Sequence, residues 1–559
     1  MRRFLSLPTR YPASVLIVAL AITALAISRL VDLRTGEVSL RVDSSVDQLL
    51  PEGDEAREFF EHISDLFPSS ETLIVALVMD DVFTRENLAA VKRVSEILEE
   101  MEGVDYVVSL ATAENILSAD DEIVVEPFLQ DVPEAPDEIE RIRDEVRHNP
   151  IYAGNLVSHD FRATAVAVYL DDDLSEQELI DEELDLRILE AATRAGGGAE
   201  VWISGPPRIK AATARLIFSG LGVVLPLAIL IMAVVGALAF RTVLGVVVPI
   251  VAIVIAILWT LGVVAWLEVP LNLVTTIVPP LLLSLGFAYA IHVVSDYYQA
   301  QREDPERVAQ SGGPAAWALQ HVALPVALTA ATTVAGFLSL ILSPFTAVRE
   351  FGLISVLGVF LTALVSLTLI PALLQLFGRP RGPGSHTPET RGLDRPLERL
   401  GRFVVRYRAA VFFACAAVAL VAAAGTARIR INSDLVSNFD PDTSVRRHFE
   451  AINRSLEGGN PFEIVIEADE VDTFAKPANL RVIAALQDWL RQQPEIGGST
   501  SLADYVKLLH RSFRDGDPRY LSIPESTRLI KQLLLVGPTD ELSNYVDPPY
   551  QTANIRVRS

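Results

Sequence analysis

A single cysteine, Cys415, in 559 residues leaves no partner for an intrachain disulfide and no cysteine-rich metal site. The eight histidines are scattered, with no pair at i and i+4 and no zinc-protease motif, so a metal centre would lack its ligands. No phosphate-binding loop ending in Gly-Lys-Ser/Thr is present, which removes ATP as the power source of this chain. Gly196-Gly197-Gly198 stands without a nucleotide fingerprint around it and reads as a turn. Basic charge is also short: 47 Lys and Arg stand against 71 Asp and Glu, a formal charge of −24. A nucleic-acid surface needs the opposite balance to displace counterions, so nucleic acid is excluded as a partner. No enzyme constellation emerges, and neither a cofactor nor a metal is implied.

Hydrophobic residues make up half of the chain. Such apolarity and such acidity rarely coexist in one region, so the two properties must occupy different segments. Crossing roughly 30 Å of hydrocarbon takes about 20 consecutive apolar residues. Seven segments qualify: about 12–31, 216–240, 242–267, 269–295, 322–348, 351–377 and 409–427. Neither Ile217 to Phe240 nor Thr242 to Leu267 contains a charge. Lipid cannot satisfy an open backbone, so a helical hairpin bundle is expected over 211–377. The first segment imitates a signal peptide, with Ala24-Leu25-Ala26 after an apolar run. Its likeness to the seventh favours an uncleaved anchor: Arg10-Tyr11-Pro12 precedes one and Arg406-Tyr407-Arg408 the other. Trp259 and Trp266, with Glu268, are expected to mark the outer edge of the third span. Pro226 and Pro279-Pro280 are expected to bend their spans.

Arginines set the orientation. Arg2, Arg3 and Arg10, then Arg241, then eight arginines in 379–408 fall on one side if the spans alternate, and that side should be the cytoplasm. The expected plan is a cytoplasmic 1–11, a first span 12–31 and an extracytoplasmic 32–210. The bundle 211–377, a flexible cytoplasmic linker 378–408, a seventh span 409–427 and a second extracytoplasmic region 428–559 follow. Residues 31–210 hold 43 Asp and Glu against 14 Lys and Arg, which accounts for the whole acidic excess. The simplest reading of that excess is a solvated surface.

The chain repeats itself. Asp43–Leu50 and Glu58-Phe59-Phe60-Glu61 correspond to Asn432–Phe439 and Arg447-His448-Phe449-Glu450. Phe60-Glu61 and Phe449-Glu450 match at an offset of 389, and so do Thr164–Val168 and Ala553–Val557. Ser109-Leu110-Ala111 and Ser501-Leu502-Ala503 match at 392. One unit is a span, an exterior domain and five more spans; the second unit is incomplete, as in a fragment or in a chain completed by another polypeptide. The exterior domain reads as α/β. Strands are expected at Thr72–Met79, Val104–Leu110, Ala163–Leu170 and Glu200–Ser204, helices at Asn87–Met101 and Glu176–Thr193, and a polar connection with a short helix at 131–150. Residues 550–559 read as a strand lacking its partners, and hence as an exposed edge.

This plan resembles the resistance–nodulation–division (RND) superfamily, above all its MMPL-type and hydrophobe-exporter members, whose bundle is similar to a sterol-sensing domain. Asn272-Leu273-Val274-Thr275, Pro279-Pro280 and Gly286 to His292 (GFAYAIH) resemble the family's fourth span. Ala330–Phe337 (AATTVAGF), Ser343-Pro344-Phe345 and Arg349-Glu350-Phe351-Gly352 resemble its fifth span and the start of its sixth, which ends on Leu369-Ile370-Pro371-Ala372-Leu373. The resemblance implies a polytopic helical membrane protein with ferredoxin-like exterior domains. It also implies proton-driven export of lipids or other hydrophobic molecules. Many members carry an Asp-Tyr pair in the fourth span as proton carrier; here those positions are Ala288-Tyr289, and alanine cannot titrate.

Tyr289, His292 and Asp296 fall within about 60° of one another on a helix, so they are candidates for an alternative proton relay. The opposing reading makes Asp296 a boundary anchor beside Tyr297-Tyr298, and His292 a packed polar residue. Thr329, Thr332 and Thr333 of the fifth span could bond to that face, or could serve close helix packing. Expected partners are membrane lipids or hydrophobic cargo, with a homo-oligomer or a second polypeptide supplying the missing helices. The alternative function is a sterol-sensing-type protein that binds lipid without net transport.

Overall fold

A computed structural model describes residues 7–31, 40–41, 43, 50–51, 53–67, 72–119, 122–171, 174–301, 303–378, 391–429, 436–456, 458, 461–494, 496–537 and 539–559. Most of the linker 378–392, and much of the matched stretches 43–50 and 432–439, lie outside the described residues. Two compact units emerge: Met1–Glu52 with Leu216–Ser433, and Gly53–Arg215 with Asp434–Ser559.

The first unit holds the membrane helices. Seven helices are long and apolar enough to cross a bilayer, numbered spans 1 to 7: Pro12–Leu30, Pro206–Phe240, Val243–Trp266, Thr275–Ala300, Pro314–Leu342, Thr346–Phe377 and Arg408–Thr426. Span 6 is the hub, packing against spans 1, 3, 4 and 5. Lipid tails are as apolar as leucine, so close approach through small residues replaces the hydrophobic drive. Gly286 of span 4 sits against Ile253 and Thr362, and Gly358 of span 6 lies against Leu282. Gly262 of span 3 lies against Ala26 of span 1, where even a methyl group would come within 2.6 Å of the alanine Cβ.

Two expectations fail here. Trp259 is not at a boundary: it is buried, and its indole N–H donates to Thr23 of span 1 at 2.9 Å. A buried indole needs an acceptor, and the Gly262–Ala26 contact brings one within reach. Pro279-Pro280 do not bend span 4. They occupy the first turn of its α-helix, after a 3-10 turn at Thr275–Ile277, where the lost N–H groups have no intrahelical partner anyway. Span 2 does continue through Pro226.

Among the described residues the second unit carries three antiparallel sheets, of four, two and three strands. β1 (Thr72–Val78), β2 (Val104–Val108), β5 (Ala163–Leu170) and β6 (Glu200–Ser204) order as β2-β5-β1-β6. β3 (Glu114–Ala119) and β4 (Glu122–Pro127) form a hairpin with no counterpart among the sequence-based expectations. β7 (Pro461–Glu467), β8 (Gly498–Ser501) and β9 (Thr552–Arg558) order as β7-β9-β8. Thr72 faces Tyr169 in the four-stranded sheet and Pro461 faces Arg558 in the three-stranded one, each partner 389 residues on. Tyr106 faces Tyr169 and Gly498 faces Arg558, with offsets of 392 and 389.

β9 is therefore no unpaired edge. Its alignment with β5 puts it in the middle of the sheet, bonded on both sides and buried. β6 fills the outer side of β1, whereas among the described strands β7 has β9 as its only neighbour. The helix expected over Glu176–Thr193 is two, Glu176–Asp181 and Leu184–Ala195, broken where Glu183 turns left-handed at φ 50°. The helix in 131–150 runs Pro136–Arg147. Gly205, at φ 129°, joins β6 to span 2; a Cβ there would lie 2.3 Å from the Thr72 carbonyl oxygen, so only glycine fits. Helix Ser444–Ser455 packs on β6, so a late segment completes the first sheet's surroundings.

Candidate transport site and the exterior polar core

Span 4 begins at a built corner. The Asn272 side-chain oxygen accepts from the Val274 and Thr275 N–H groups, and Thr275 Oγ1 accepts from the Asn272 N–H at 2.7 Å. The remaining amide of Asn272 donates to Glu350 Oε2 at 2.9 Å, close to the start of span 6. Two motifs nearly 80 residues apart thus meet in one hydrogen-bonded pair, a contact that only the packing of spans 4 and 6 creates.

Farther along the bundle, Tyr289, Ser355 and Thr362 turn hydroxyls inward. Among the described residues the buried Ser355 and Thr362 oxygens have no hydrogen-bond partner, and the buried Tyr289 hydroxyl has Thr333 near it. Ser355 and Thr362 are seven apart, hence on one face of span 6. An unpaired buried hydroxyl costs about 1–3 kcal/mol, so such groups mark a polar place in the bundle interior.

The candidate relay is not assembled as one stripe. Tyr289 is buried at 3 % exposure and lies near Thr333, whereas Ala288 and His292 face outward and Asp296 is half-buried. No hydrogen bond or ion pair joins His292 to Asp296 among the described residues. An arc of 60° on one helix is wide enough for a neighbouring span to cover one residue and leave the next open. Thr332 and Thr333 both spend their hydroxyls on the Thr329 carbonyl of their own helix, at 2.9 and 2.8 Å, and Thr329 on Pro325. Near Asp296, the Tyr298 hydroxyl meets Thr242 Oγ1 at 2.5 Å, in the tight turn between spans 2 and 3. That contact puts Asp296 level with a span end. The small and polar residues Ser284, Ala288, His292 and Ser295 of span 4, with Thr329, Thr332 and Gly336 of span 5, are all exposed.

The second unit has a polar core that the sequence did not reveal. Glu541 is half-buried and accepts from the Tyr152 hydroxyl at 2.9 Å and the Tyr505 hydroxyl at 2.7 Å. Tyr152 and Glu541 are 389 residues apart in the chain. Burial, helped by the Glu114 carboxylate, pushes the Glu541 carboxyl above its usual range, and the two tyrosine donors oppose this. A raised carboxyl favours the protonated fold. Its contribution is complete below the unfolded value and is lost as pH rises through the folded one. Glu541→Gln should therefore change stability least in mild acid and raise it relative to wild type above neutral pH, as read by thermal unfolding across pH.

A second buried group ties helix Leu184–Ala195 to the head of span 2. Asp185, fully buried, accepts from Arg208 and Arg215, and Arg208 also donates to Ser444. The Ile203 N–H donates to His448 Nδ1 at 3.3 Å, which requires the neutral ring there. Burial, then the Arg208 and Arg447 cations, lower the His448 pKa accordingly. Among the described residues, no three His, Cys, Asp or Glu side chains converge to hold a metal.

The family model for MMPL proteins matches residues 83–411, more than half of the chain. The chain belongs to the MMPL family. It is a multi-pass membrane protein of RND type, as the motifs of spans 4 to 6 imply. A putative membrane protein of Methanocaldococcus jannaschii is 23% identical over 60% of this chain and 85% of its own length. The probable transport protein MmpL9 of Mycobacterium tuberculosis is 23% identical over 74% of this chain. The hopanoid transporter HpnN of Burkholderia multivorans is 26% identical over 42% of it. The chain spans only 42% and 25% of the length of these two transport proteins.

Proposed function

We propose that this MMPL chain carries the first membrane-and-exterior module of an RND-type transporter, with part of a second. Its activity is the outward transfer of lipids or other hydrophobic molecules across the inner membrane, driven by an ion gradient. The N-terminus is cytoplasmic, and both exterior regions lie on the far side. The match over 83–411 carries the reading, and relatives named as a transport protein and a hopanoid transporter support it. The duplication draws support from strand pairs that keep one register at offsets of 389 and 392. The four-stranded and three-stranded sheets share the order expected of ferredoxin-like domains as far as the latter extends. The exposed faces of spans 4 and 5, small and hydroxyl-bearing, suit further helices, whether from a second copy or another polypeptide.

Within this reading Tyr289, with the hydroxyls of span 6, is the inward polar site, and proton exchange runs through His292 on the outward face and Asp296 at the span end. In proteoliposomes containing the complete protein, an imposed pH gradient should accelerate movement of a fluorescent lipid. His292→Ala with Asp296→Asn should slow the gradient-dependent part at least about tenfold. Unchanged gradient dependence would remove these two residues from the coupling. The second reading, lipid binding without net transport, is favoured by one observation: Ala288 replaces the carboxylate. Saturable lipid binding with no flux under any gradient would establish it.

A further inference from the structure

The second unit is built from two stretches of chain, 53–215 and 434–559, so every contact between them joins residues far apart in sequence. Two of those contacts end on a titrating group, one a carboxyl and the other an imidazole. At the first, Glu541 accepts from the Tyr152 hydroxyl at 2.9 Å. At the second, His448 Nδ1 accepts from the Ile203 N–H at 3.3 Å. The later stretch supplies the titrating group in both, and the earlier stretch supplies the donor.

The two contacts respond to protons in opposite senses. Glu541 is faced by Tyr152 and Tyr505, both bonded to it, by Tyr545 and by the Glu114 carboxylate. Burial raises its carboxyl above the ordinary range, against the pull of the two bonded tyrosines, and Glu114 adds to the rise. The neutral acid suits this place, and the contact loses stability as pH rises through the folded value. His448 faces Arg208 at the head of span 2, Arg447 on its own helix and Glu200 of β6. Burial and the two cations hold its imidazole below the ordinary range, and Glu200 opposes them. A proton on Nδ1 would also occupy the lone pair that the Ile203 N–H uses. This contact is complete above the ordinary imidazole value and is lost as pH falls through the folded one.

Two further bonds between the stretches carry no group that titrates in this range. Ser512 Oγ donates to the Ile116 carbonyl at 2.6 Å, and Arg208 donates to the Ser444 hydroxyl at 3.3 Å. They keep the stretches together while the other two contacts trade strength.

We propose that the Tyr152–Glu541 and Ile203–His448 contacts form a proton-driven toggle between the two stretches. In acid the first closes and the second opens. Near neutrality the order reverses, and helix Ser444–Ser455 is held again to the edge of β6. The toggle lies wholly inside the second unit, so it does not depend on the transport reading.

Hydrogen exchange of the full chain in nanodiscs tests this, read at about pH 7.5 and about pH 5 and corrected for the intrinsic pH dependence of amide exchange. Two segments report. Glu200–Ser204 follows the His448 contact, and residues 541–546, whose amides bond back to Glu541 and Leu542, follow the other. On going to acid, protection of the first should fall and that of the second should rise, each roughly two- to tenfold, the worth of one hydrogen bond. His448→Gln, which cannot titrate, should abolish the first change and keep the second. Glu541→Gln should do the converse. If either variant fails to fold, the pair of opposite changes in the wild-type chain still decides. Movement of both segments in one direction, no movement, or a change that survives in its matching variant would overturn the proposal.

Discussion

Asp185→Ala should destabilise the second unit by about 3–5 kcal/mol, the range for removing one partner of a buried ion group. Arg208, at 3 % exposure, would lose its carboxylate and, among the described residues, keep the Ser444 hydroxyl. Arg215, at 29 % side-chain exposure, could turn to water and would suffer less. The two arginines are seven apart on the first turns of the long helix, hence on one face, and both close on a single carboxylate of the neighbouring helix. Denaturant unfolding followed by Trp202 on β6 should show a lower midpoint. Asp185→Asn, which keeps the shape and loses the charge, should fall between wild type and alanine. A midpoint unmoved by Asp185→Ala would mean that Arg208 is hydrated in the folded protein and the pairing is not structural.

The second large effect concerns the bundle. Gly262→Leu places a branched side chain where a single methyl already meets Ala26 Cβ at 2.6 Å and its Cα at 2.8 Å. Backbone cannot yield as a side-chain tip can, so span 1 must move away from span 3. Overpacking of this kind costs about 1–3 kcal/mol or more. Displacement would also break the Trp259–Thr23 hydrogen bond, so the Trp259 emission should change along with a lower melting temperature in detergent. Gly262→Ala should already show part of the effect. Wild-type melting and emission in Gly262→Leu would rule out close contact between the two spans.

These expectations separate what could be read along the chain from what could not. The spans follow from uncharged runs, and some ends differ from the expected ones by as many as ten residues, because capping prolines such as Pro206 and Pro314 lie before the apolar stretch. Strands β1, β5 and β6 were legible because β-branched apolar runs leave little choice. In the β3–β4 hairpin the β-branched apolar run is only Ile123-Val124-Val125, closed in by Glu122 and Glu126, too short to stand out from the acidic sequence around it. Tyr289 was recognisable as a candidate from its span, but its separation from His292 was not, since periodicity gives an angle and never says which neighbour covers it. Asn272 and Glu350 were both quoted within motifs, yet their contact is a matter of helix packing.

The sequence by itself determined the membrane character, the division of charge between bundle and exterior, and the offsets at which strands later pair in like register. These are properties of local composition and of order along the chain, and hydrophobic burial enforces them without further choice. Tertiary structure alone decided that β9 is central, that Trp259 bonds to span 1, and that Glu541 meets Tyr152. It also decided that one buried carboxylate holds two arginines. Each of these depends on groups brought together from distant positions. Whether a polar group is satisfied, shared or left open is fixed only when those neighbours arrive.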